Sequence, residues 1–371
     1  MSRPLRSRTA RHRVPVVVVT GIDDAAVDAA ALSLQLGHPR AVTVRHTIDV
    51  ERQVLTRVVS DLTGVLEREE IELEHACVTC AIREDIVPTL ERLAADGRWA
   101  AVVACLPLAA EARQVCRVLG RAPRDAPHVS VSAVMAALDG ETVAHDLLGD
   151  DLLDERDLAT SFEDRRGVGE VATAMVEYAD VVCLTDEPRP DELDLVRALA
   201  RPGAAIVCDP SRLDAETAAS GLHQHATVES WVAQVRRGAL PPVHGSGAWR
   251  LDLSSDRPFH PARLQDSVAL LGGGRHRSRG CFWLPTRPTD VCAWEGAGGQ
   301  VSVGCTERWG RGERLTRITV IGLCDDDCRA EVVEAFHRCL LTDDEVARLG
   351  THWNDAWDGL EPWLGPIGDS R

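Results

Sequence analysis

The sequence contains no lysine, and all 41 of its basic residues are arginine. Catalysis that depends on an ε-amine of this chain, such as Schiff-base formation, is therefore excluded. Long hydrophobic runs are also missing, since no stretch approaches the roughly 18 apolar residues of a membrane span. The apolar stretch Val14–Val19 that follows the arginine-rich start is too short for a signal-peptide core. We expect a cytoplasmic protein without a membrane segment.

The charge balance has a large excess of acids, with a formal net charge of −17 over 371 residues. Binding to naked DNA or RNA without sequence preference needs many cations against the phosphates, so this charge argues against it. The chain is 44% hydrophobic, which is enough to bury real cores. At about 100–200 residues per domain, the length predicts two domains.

Strands and helices alternate along the first part of the chain. The pattern predicts strands at Val14–Val19, Ala41–Val44, Trp99–Leu106, Val129–Ala133, Val181–Leu184 and Ala204–Cys208. Helices are predicted at Ala25–Leu36, Glu51–Gly64, Ile82–Ala95, Glu170–Tyr178 and Pro190–Leu199. Strands that alternate with helices of this length indicate an α/β fold with a doubly wound parallel sheet.

The composition changes at Gly238–Gly247, which is rich in glycine, proline and serine and is predicted to be a linker. Beyond it lie short strands separated by glycine-rich turns, predicted at Trp249–Leu253, Cys281–Leu284, Val291–Trp294, Val301–Val303 and Ile318–Gly322. Two helices are predicted among them, near Pro261–Leu271 and Arg329–Leu341. This pattern indicates a smaller α+β domain.

The turn after the first strand occupies the place of a phosphate-binding P-loop but lacks its chemistry. Such a loop needs glycines that let backbone N–H groups converge on phosphate, a lysine for the β- and γ-phosphates, and a hydroxyl for Mg²⁺. Only the first glycine is present, and the remaining key positions of this degenerate nucleotide loop are Asp24, Ala26, Val27 and Asp28, after Gly21. The acids suit helix capping and repel phosphate. A tight strand–helix turn is the simpler interpretation, and we assign no catalytic residue.

A Cys-x-x-Cys pair, Cys77 and Cys80, is the sharpest chemical feature of the sequence. This spacing lets two thiolates reach one Zn²⁺, and Glu74 or His75 could complete part of a tetrahedral shell. A redox pair is an alternative, but no thioredoxin-like context surrounds it. Two structural thiols at a loop–helix junction are a third possibility.

The other cysteines divide into a second spaced pair and single residues in apolar runs. Cys324 and Cys328 are spaced Cys-x-x-x-Cys with acids between them, which offers a second possible metal site. The remaining thiols in strand patterns are expected to be small buried hydrophobes, namely Cys105, Cys183, Cys208, Cys281, Cys292 and Cys305. Without a secretory signal, reduced thiols or metal ligands are more plausible than a disulfide framework.

Together these segments resemble the CobW family of P-loop GTPases and metallochaperones along nearly the whole chain. The run Cys77 to Asp85 is similar to the family's C-x-C-C-T-I-R-x-D metal motif, with Thr79 in place of the middle cysteine. The approach to the guanine-specificity motif is matched by Glu177–Val181, although Cys183–Asp186 replaces N-K-x-D. Arg257–Pro261 resembles the hallmark motif of the CobW C-terminal domain.

The resemblance implies a domain layout: a basic arm over 1–13, a degenerate P-loop NTPase-like domain over 14–240, and a CobW C-terminal α+β domain over 248–365. It also implies possible Zn²⁺ binding. Because the nucleotide motifs are altered, we do not expect the protein to bind GTP.

One branch of this family, known as MRF, departs from the nucleotide motifs in the same way. The resemblance to it implies a zinc-responsive scaffold that recruits a hibernation-promoting factor to ribosomes under zinc starvation. The alternative implied by the wider family is a GTP-dependent zinc metallochaperone. A zinc sensor built on Cys77 and Cys80 is a third reading. Contact with the anionic ribosome would need local basic surfaces, for which the candidates are Arg3, Arg6, Arg8, Arg11, Arg13, Arg275, Arg277 and Arg279.

Overall fold

The computed structural model describes residues 13–121, 123–349 and 357–367. The predicted ribosome contacts Arg3, Arg6, Arg8 and Arg11 lie outside these residues, while Arg13 is exposed at the start of the first strand. No helix in the described part of the chain is both long and apolar enough to cross a membrane.

The first domain is built on a mixed sheet of eight strands, as counted over the described residues. The strands in chain order are Val14–Gly21 (β1), Ala41–Asp49 (β2), Val54–Asp61 (β3), Gly64–Glu72 (β4), Ala101–Cys105 (β5), Val129–Leu138 (β6), Val181–Leu184 (β7) and Ala205–Val207 (β8). Their spatial order is β4-β3-β2-β5-β1-β6-β7-β8. Strands β2, β5, β1, β6, β7 and β8 run parallel to one another. Strands β3 and β4 continue the sheet beyond β2 as an antiparallel edge. The predicted α/β class with a doubly wound sheet is confirmed.

Helices connect these strands and cover the sheet. They are Asp24–Gly37 (α1), Val78–Ala81 (α2), Val87–Ala95 (α3), Ala112–Arg121 (α4), Val143–Leu148 (α5), Val168–Tyr178 (α6), Pro190–Leu199 (α7), Ala215–Ala219 (α8) and His225–Trp231 (α9). A π-helical turn, Ile82–Ile86, joins α2 to α3. Buried β-branched residues of the central strands, such as Val16 and Val18, explain why these strands read as continuous apolar runs.

The helix predicted over Glu51–Gly64 is wrong, because this segment forms strand β3. Its apolar residues fit both a helical face and a strand, and they are Val54, Leu55, Val58, Val59 and Leu62. Pairing with β2 on one side and β4 on the other decides the conformation. Three of the five are β-branched, a type that fits a pleated, half-buried surface better than a helix.

The second domain is an antiparallel sheet of five strands in the described residues, flanked by helices. The strands are Ala248–Ser255 (β9), His276–Leu284 (β10), Arg287–Ala297 (β11), Gln300–Arg308 (β12) and Thr316–Leu323 (β13), in the spatial order β12-β11-β10-β13-β9. The helices are Pro261–Gly272 (α10), Arg329–Cys339 (α11), Asp343–Leu349 (α12) and Glu361–Leu364 (α13). Phe259, Phe282 and Phe336 pack together in its core, with ring centroids about 5.5 Å apart. The predicted α+β class of this part is confirmed.

The two domains meet at a buried ionic junction. Glu177 of α6 accepts hydrogen bonds from Arg277 at 2.9 Å and from Arg279 at 2.7 Å, and all three side chains are buried. Arg277 and Arg279 are among the candidate ribosome contacts that the sequence suggests, but they lie within β10. That expectation is corrected, because both guanidinium groups are buried and paired with Glu177, so neither is available at the surface. Arg275, just before the strand, is exposed.

Candidate functional site

The degenerate nucleotide loop forms a tight turn between β1 and α1. Gly21 ends the strand, and α1 already begins at Asp24. Asp23 caps the helix, since its side chain accepts a hydrogen bond from the backbone N–H of Ala26 at 2.7 Å. In a phosphate-binding loop of this spacing, four residues after the first glycine surround the phosphate. Here two of those four are helical, and a carboxylate satisfies an N–H group that would otherwise be free for an anion.

Gly21 and Val27 are packed against each other rather than arranged around a ligand. A Cβ atom on Gly21 would lie 2.4 Å from the carbonyl oxygen of Ala137 and 2.7 Å from a methyl group of Val27. Val27, which occupies the position of the P-loop lysine, is fully buried. Ala109 donates its N–H to the carbonyl oxygen of Gly21 at 3.0 Å, so the segment after β5 covers the turn. The glycine is explained by close packing.

Two exposed acids complete the outer face of this turn. Asp24 and Asp28 both form ion pairs with the guanidinium of Arg45, which projects from β2. The position that would hold a Mg²⁺-binding hydroxyl therefore carries a paired carboxylate. A triphosphate placed here would face two carboxylates and one already paired cation.

The strand that should precede the guanine-specificity motif is present, but its acidic residue has a structural role. Asp180 accepts a hydrogen bond from the backbone N–H of Val134 at 2.7 Å and one from His223 at 2.9 Å. It also forms an ion pair with Arg201, and it is buried. These contacts join β6, β7 and the segment before α9.

Cys77 and Cys80 lie together at the start of α2. Cys77 is the residue before the helix, and its sulfur accepts a hydrogen bond from the backbone N–H of Cys80 at 3.4 Å. Cys77 is partly exposed, whereas Cys80 is buried. The π-helical turn that follows is a feature found frequently at functional sites. The structure thus brings both predicted thiols to one place, where the Cys77 thiol is partly exposed and the Cys80 thiol is buried.

Burial raises the pKa of the Cys80 thiol, and its hydrogen bond with Cys77 raises that pKa further. In the absence of a metal ion, the Cys80 thiol is therefore protonated near neutral pH. Zinc binding requires thiolates, so an ion that binds here must displace protons. Its affinity for the pair rises with pH.

Glu74 and His75, the other predicted ligands, are exposed on the turn before Cys77. Within the described residues, no group of three or more His, Cys, Asp or Glu side chains is arranged to hold a metal ion. The structure therefore brings together the thiols of the predicted four-residue set, and no third ligand stands beside them in the part of the chain that the structure describes. Two thiolates leave two positions open in a tetrahedral zinc shell.

A buried polar cluster anchors the cysteine motif to the sheet. Asp85, five residues after Cys80, accepts a hydrogen bond from His46 of β2 at 2.9 Å and forms an ion pair with Arg57 of β3. Thr89 of α3 also contacts Asp85, at 3.3 Å. Sequence reasoning noted Asp85 as part of the motif but missed this role. Arg57 and His46 are 28 and 39 residues away in the sequence, so the helical and strand periodicities cannot relate them to Asp85.

The second spaced pair is looser. Cys324 is exposed, and the sulfur of Cys328 lies 3.5 Å from Nδ1 of the buried His276. Burial raises the pKa of Cys328. The pair is a useful comparison for Cys77 and Cys80 because it has similar spacing and one exposed thiol.

Comparison with known proteins adds an independent line of evidence. Residues 249–340 match the family described as the Cobalamin synthesis protein cobW C-terminal domain. The chain is 29% identical to "Zinc chaperone Rv0106" of Mycobacterium tuberculosis, over 95% of this chain and 94% of that protein. It is 20% identical to "Zinc-regulated GTPase metalloprotein activator 1" of Dictyostelium discoideum, over 80% of this chain and 70% of that protein.

Among solved structures, a similar chain is the Zn(II)-bound YjiA GTPase from E. coli, at 15% identity and a TM-score of 0.34, with 89% of this chain and all of that chain covered. The C-terminal domain match and the two relatives support a relationship to the CobW-like P-loop proteins.

Proposed function

We propose that this protein is a zinc-handling member of the CobW-like group that receives and passes on Zn²⁺ through Cys77 and Cys80, without GTP hydrolysis. The observation that carries the proposal is the hydrogen bond from the Cys80 backbone N–H to the Cys77 sulfur, which places the two thiols together at the start of α2 with one of them partly exposed. Zinc is here a cargo. The name of the zinc chaperone relative supports the same direction.

The incomplete ligand set suits transfer rather than storage. A structural zinc site is closed by four protein ligands and holds its ion tightly. A site that offers Cys77 and Cys80 leaves positions that ligands of an acceptor protein can occupy, so the ion can move by ligand exchange. The exposed Glu74 and His75 lie on the same turn and can serve as transient ligands.

The nucleotide part of the proposal follows from the turn at Gly21. Hydrolysis of GTP relies on cations and backbone N–H groups that stabilise charge on the transferred phosphoryl group. Val27 is buried and neutral, and Asp23 occupies the helix end. A wild-type protein that hydrolyses GTP with saturation kinetics would contradict this part while leaving zinc handling intact.

Recruitment of a hibernation-promoting factor to ribosomes stays a prediction. The comparisons name zinc chaperone and GTPase relatives, and the burial of Arg277 and Arg279 removes two of the cations that this role invoked. The zinc-handling alternative is better supported.

The test is zinc affinity, measured by competition with a chromophoric chelator. The Cys77→Ser/Cys80→Ser variant is compared with wild type and with the matched Cys324→Ser/Cys328→Ser variant. Loss of groups that only orient a zinc ligand already costs about 10–100-fold in affinity. We therefore expect a loss of more than about 100-fold for the first variant and little change for the second. Equal affinity in all three proteins would refute the site.

Transfer is tested by mixing the zinc-loaded protein with a zinc enzyme freed of its metal. Direct transfer predicts an initial rate that rises with the concentration of the acceptor. A rate set only by zinc dissociation does not depend on the acceptor, and that result would refute handling by ligand exchange while leaving binding intact.

A further inference from the structure

A further thiol pair, distinct from Cys77/Cys80 and from Cys324/Cys328, lies on two neighbouring strands of the C-terminal domain. Cys292 of β11 and Cys305 of β12 are directly opposite each other in the antiparallel register. Opposite residues in such a ladder have Cα atoms about 4.5–5.5 Å apart, within the range of about 4.4–6.8 Å found in disulfides. The sequence predicted that both are packed inside, but Cys305 is exposed.

The two thiols differ in their surroundings. Cys292 is fully buried, and its hydrogen bond to Cys305 together with burial raises its pKa. The same hydrogen bond from Cys292, with the nearby guanidinium of Arg287, lowers the pKa of Cys305 to about 7. An exposed thiol with a lowered pKa and a second thiol within reach is the arrangement typical of oxidation-sensitive cysteines.

The cation beside the pair is held in place by the end of the described chain. Arg287 donates to the carboxylate of Asp358 at 3.0 Å and to the carbonyl oxygens of Leu364 and Gly365. The sulfur of Cys305 lies 3.7 Å from the Leu364 carbonyl oxygen. A fixed positive charge next to the thiols favours a thiolate and disfavours a metal cation, which separates this pair from Cys77 and Cys80.

We propose that Cys292 and Cys305 form a reversible intramolecular disulfide when the protein meets a peroxide. The Cys305 thiolate attacks one peroxide oxygen, the O–O bond breaks, and a sulfenic acid forms with release of water after protonation. The sulfur of Cys292 then attacks the Cys305 sulfur, its proton leaves with the hydroxyl group as a second water, and the S–S bond forms. Both sulfurs are oxidised, and the peroxide is reduced.

The thiolate fraction sets the expected selectivity. At pH 7 a thiol of pKa about 7 is about 50-fold more ionised than one at the ordinary value of 9. The thiolate of lower pKa is a weaker nucleophile, which reduces its reaction rate by about eightfold. Cys305 should therefore react about sixfold faster than an equally accessible thiol of ordinary pKa.

The experiment uses the full-length protein, reduced, freed of reductant and exposed to one equivalent of hydrogen peroxide at pH 7. Free thiols are then alkylated and the disulfides mapped by mass spectrometry. Arg287 precedes a proline, so trypsin leaves Cys281, Cys292 and Cys305 on one peptide. A glutamate-specific protease cuts after Glu295 and separates the last two, so that a disulfide between them links two fragments.

We expect a Cys292–Cys305 link that a reductant removes, at a rate above the oxidation of the exposed Cys324. The Cys281→Ser variant should keep the link. The Cys292→Ser variant should instead form a mixed disulfide at Cys305 with added oxidised glutathione. Oxidation of Cys305 without the link in wild type, a link between two chains, or no reaction would each overturn the proposal. The wild-type result decides the question even if a variant fails to fold.

Discussion

Replacement of Asp85 by asparagine should strongly destabilise the first domain. The carboxylate is buried between His46 and Arg57, and loss of one partner of a buried ion pair typically costs about 3–5 kcal/mol. Arg57 keeps hydrogen bonds to Glu69 and Thr89, so the lower end, about 3 kcal/mol, applies. For a domain of this size, that corresponds to a fall in Tm of about 6–12 °C.

The assay is thermal unfolding followed by circular dichroism, with Glu84→Gln as the matched control. Glu84 is the neighbouring acid, and its ion pair with Arg83 at 2.8 Å is more exposed. Such exposed pairs contribute at most about 1 kcal/mol. If Asp85→Asn unfolds at the same temperature as Glu84→Gln, the cluster does not anchor the cysteine motif as argued.

The pH dependence provides a second measurement on the same variant. Burial raises the pKa of Asp85, but the hydrogen bond from His46 and the charges of His46 and Arg57 outweigh it, so the pKa is lowered. A lowered pKa in the folded state contributes stability above the unfolded value, near 3.9, and that stability is lost as the pH falls through the folded value. The difference in unfolding free energy between wild type and Asp85→Asn should therefore be largest at neutral pH and decrease below about pH 4.

Two further substitutions test the packing described above. Gly21→Ala should destabilise the protein by about 1–3 kcal/mol, because the new Cβ would overlap the backbone of Ala137. Denaturant unfolding measures this loss, and an unchanged midpoint would contradict the close-packing explanation of this glycine. Glu177→Gln should cost about 3–5 kcal/mol, because the buried guanidinium of Arg279 loses its carboxylate partner while Arg277 keeps Glu295. The exposed Glu334→Gln should cost less than about 1 kcal/mol in the same thermal assay, and equal effects of the two substitutions would refute a buried junction.

The parts of the fold that depend on local pattern could be predicted from the sequence. Strand Val181–Leu184 and helix Pro190–Leu199 were predicted with the bounds that the structure shows. The segment at Glu51–Gly64 could not be assigned in this way, since its apolar spacing fits a helix and only pairing with β2 and β4 makes it a strand.

The candidate site was predictable only where its residues are neighbours in sequence. The contact between Cys77 and Cys80 follows from their spacing, and the sequence indicates it directly. The cluster that holds the motif joins His46, Arg57 and Asp85, which no periodicity relates. Similarly, Arg277 and Arg279 read as surface cations because their buried partner, Glu177, lies about 100 residues away.

The junction at Glu177 has a consequence for how the two domains could part. A buried ionic contact fixes the relative orientation of the domains but contributes little net binding free energy. When the domains separate, hydration of the freed charges compensates for most of the lost Coulomb attraction. Burial raises the pKa of Glu177, but the charges of Arg277 and Arg279 outweigh it and lower that pKa, so acidification within the physiological pH range would not break this contact. A carboxylate of a binding partner could separate the domains by replacing Glu177 as the partner of Arg277 and Arg279.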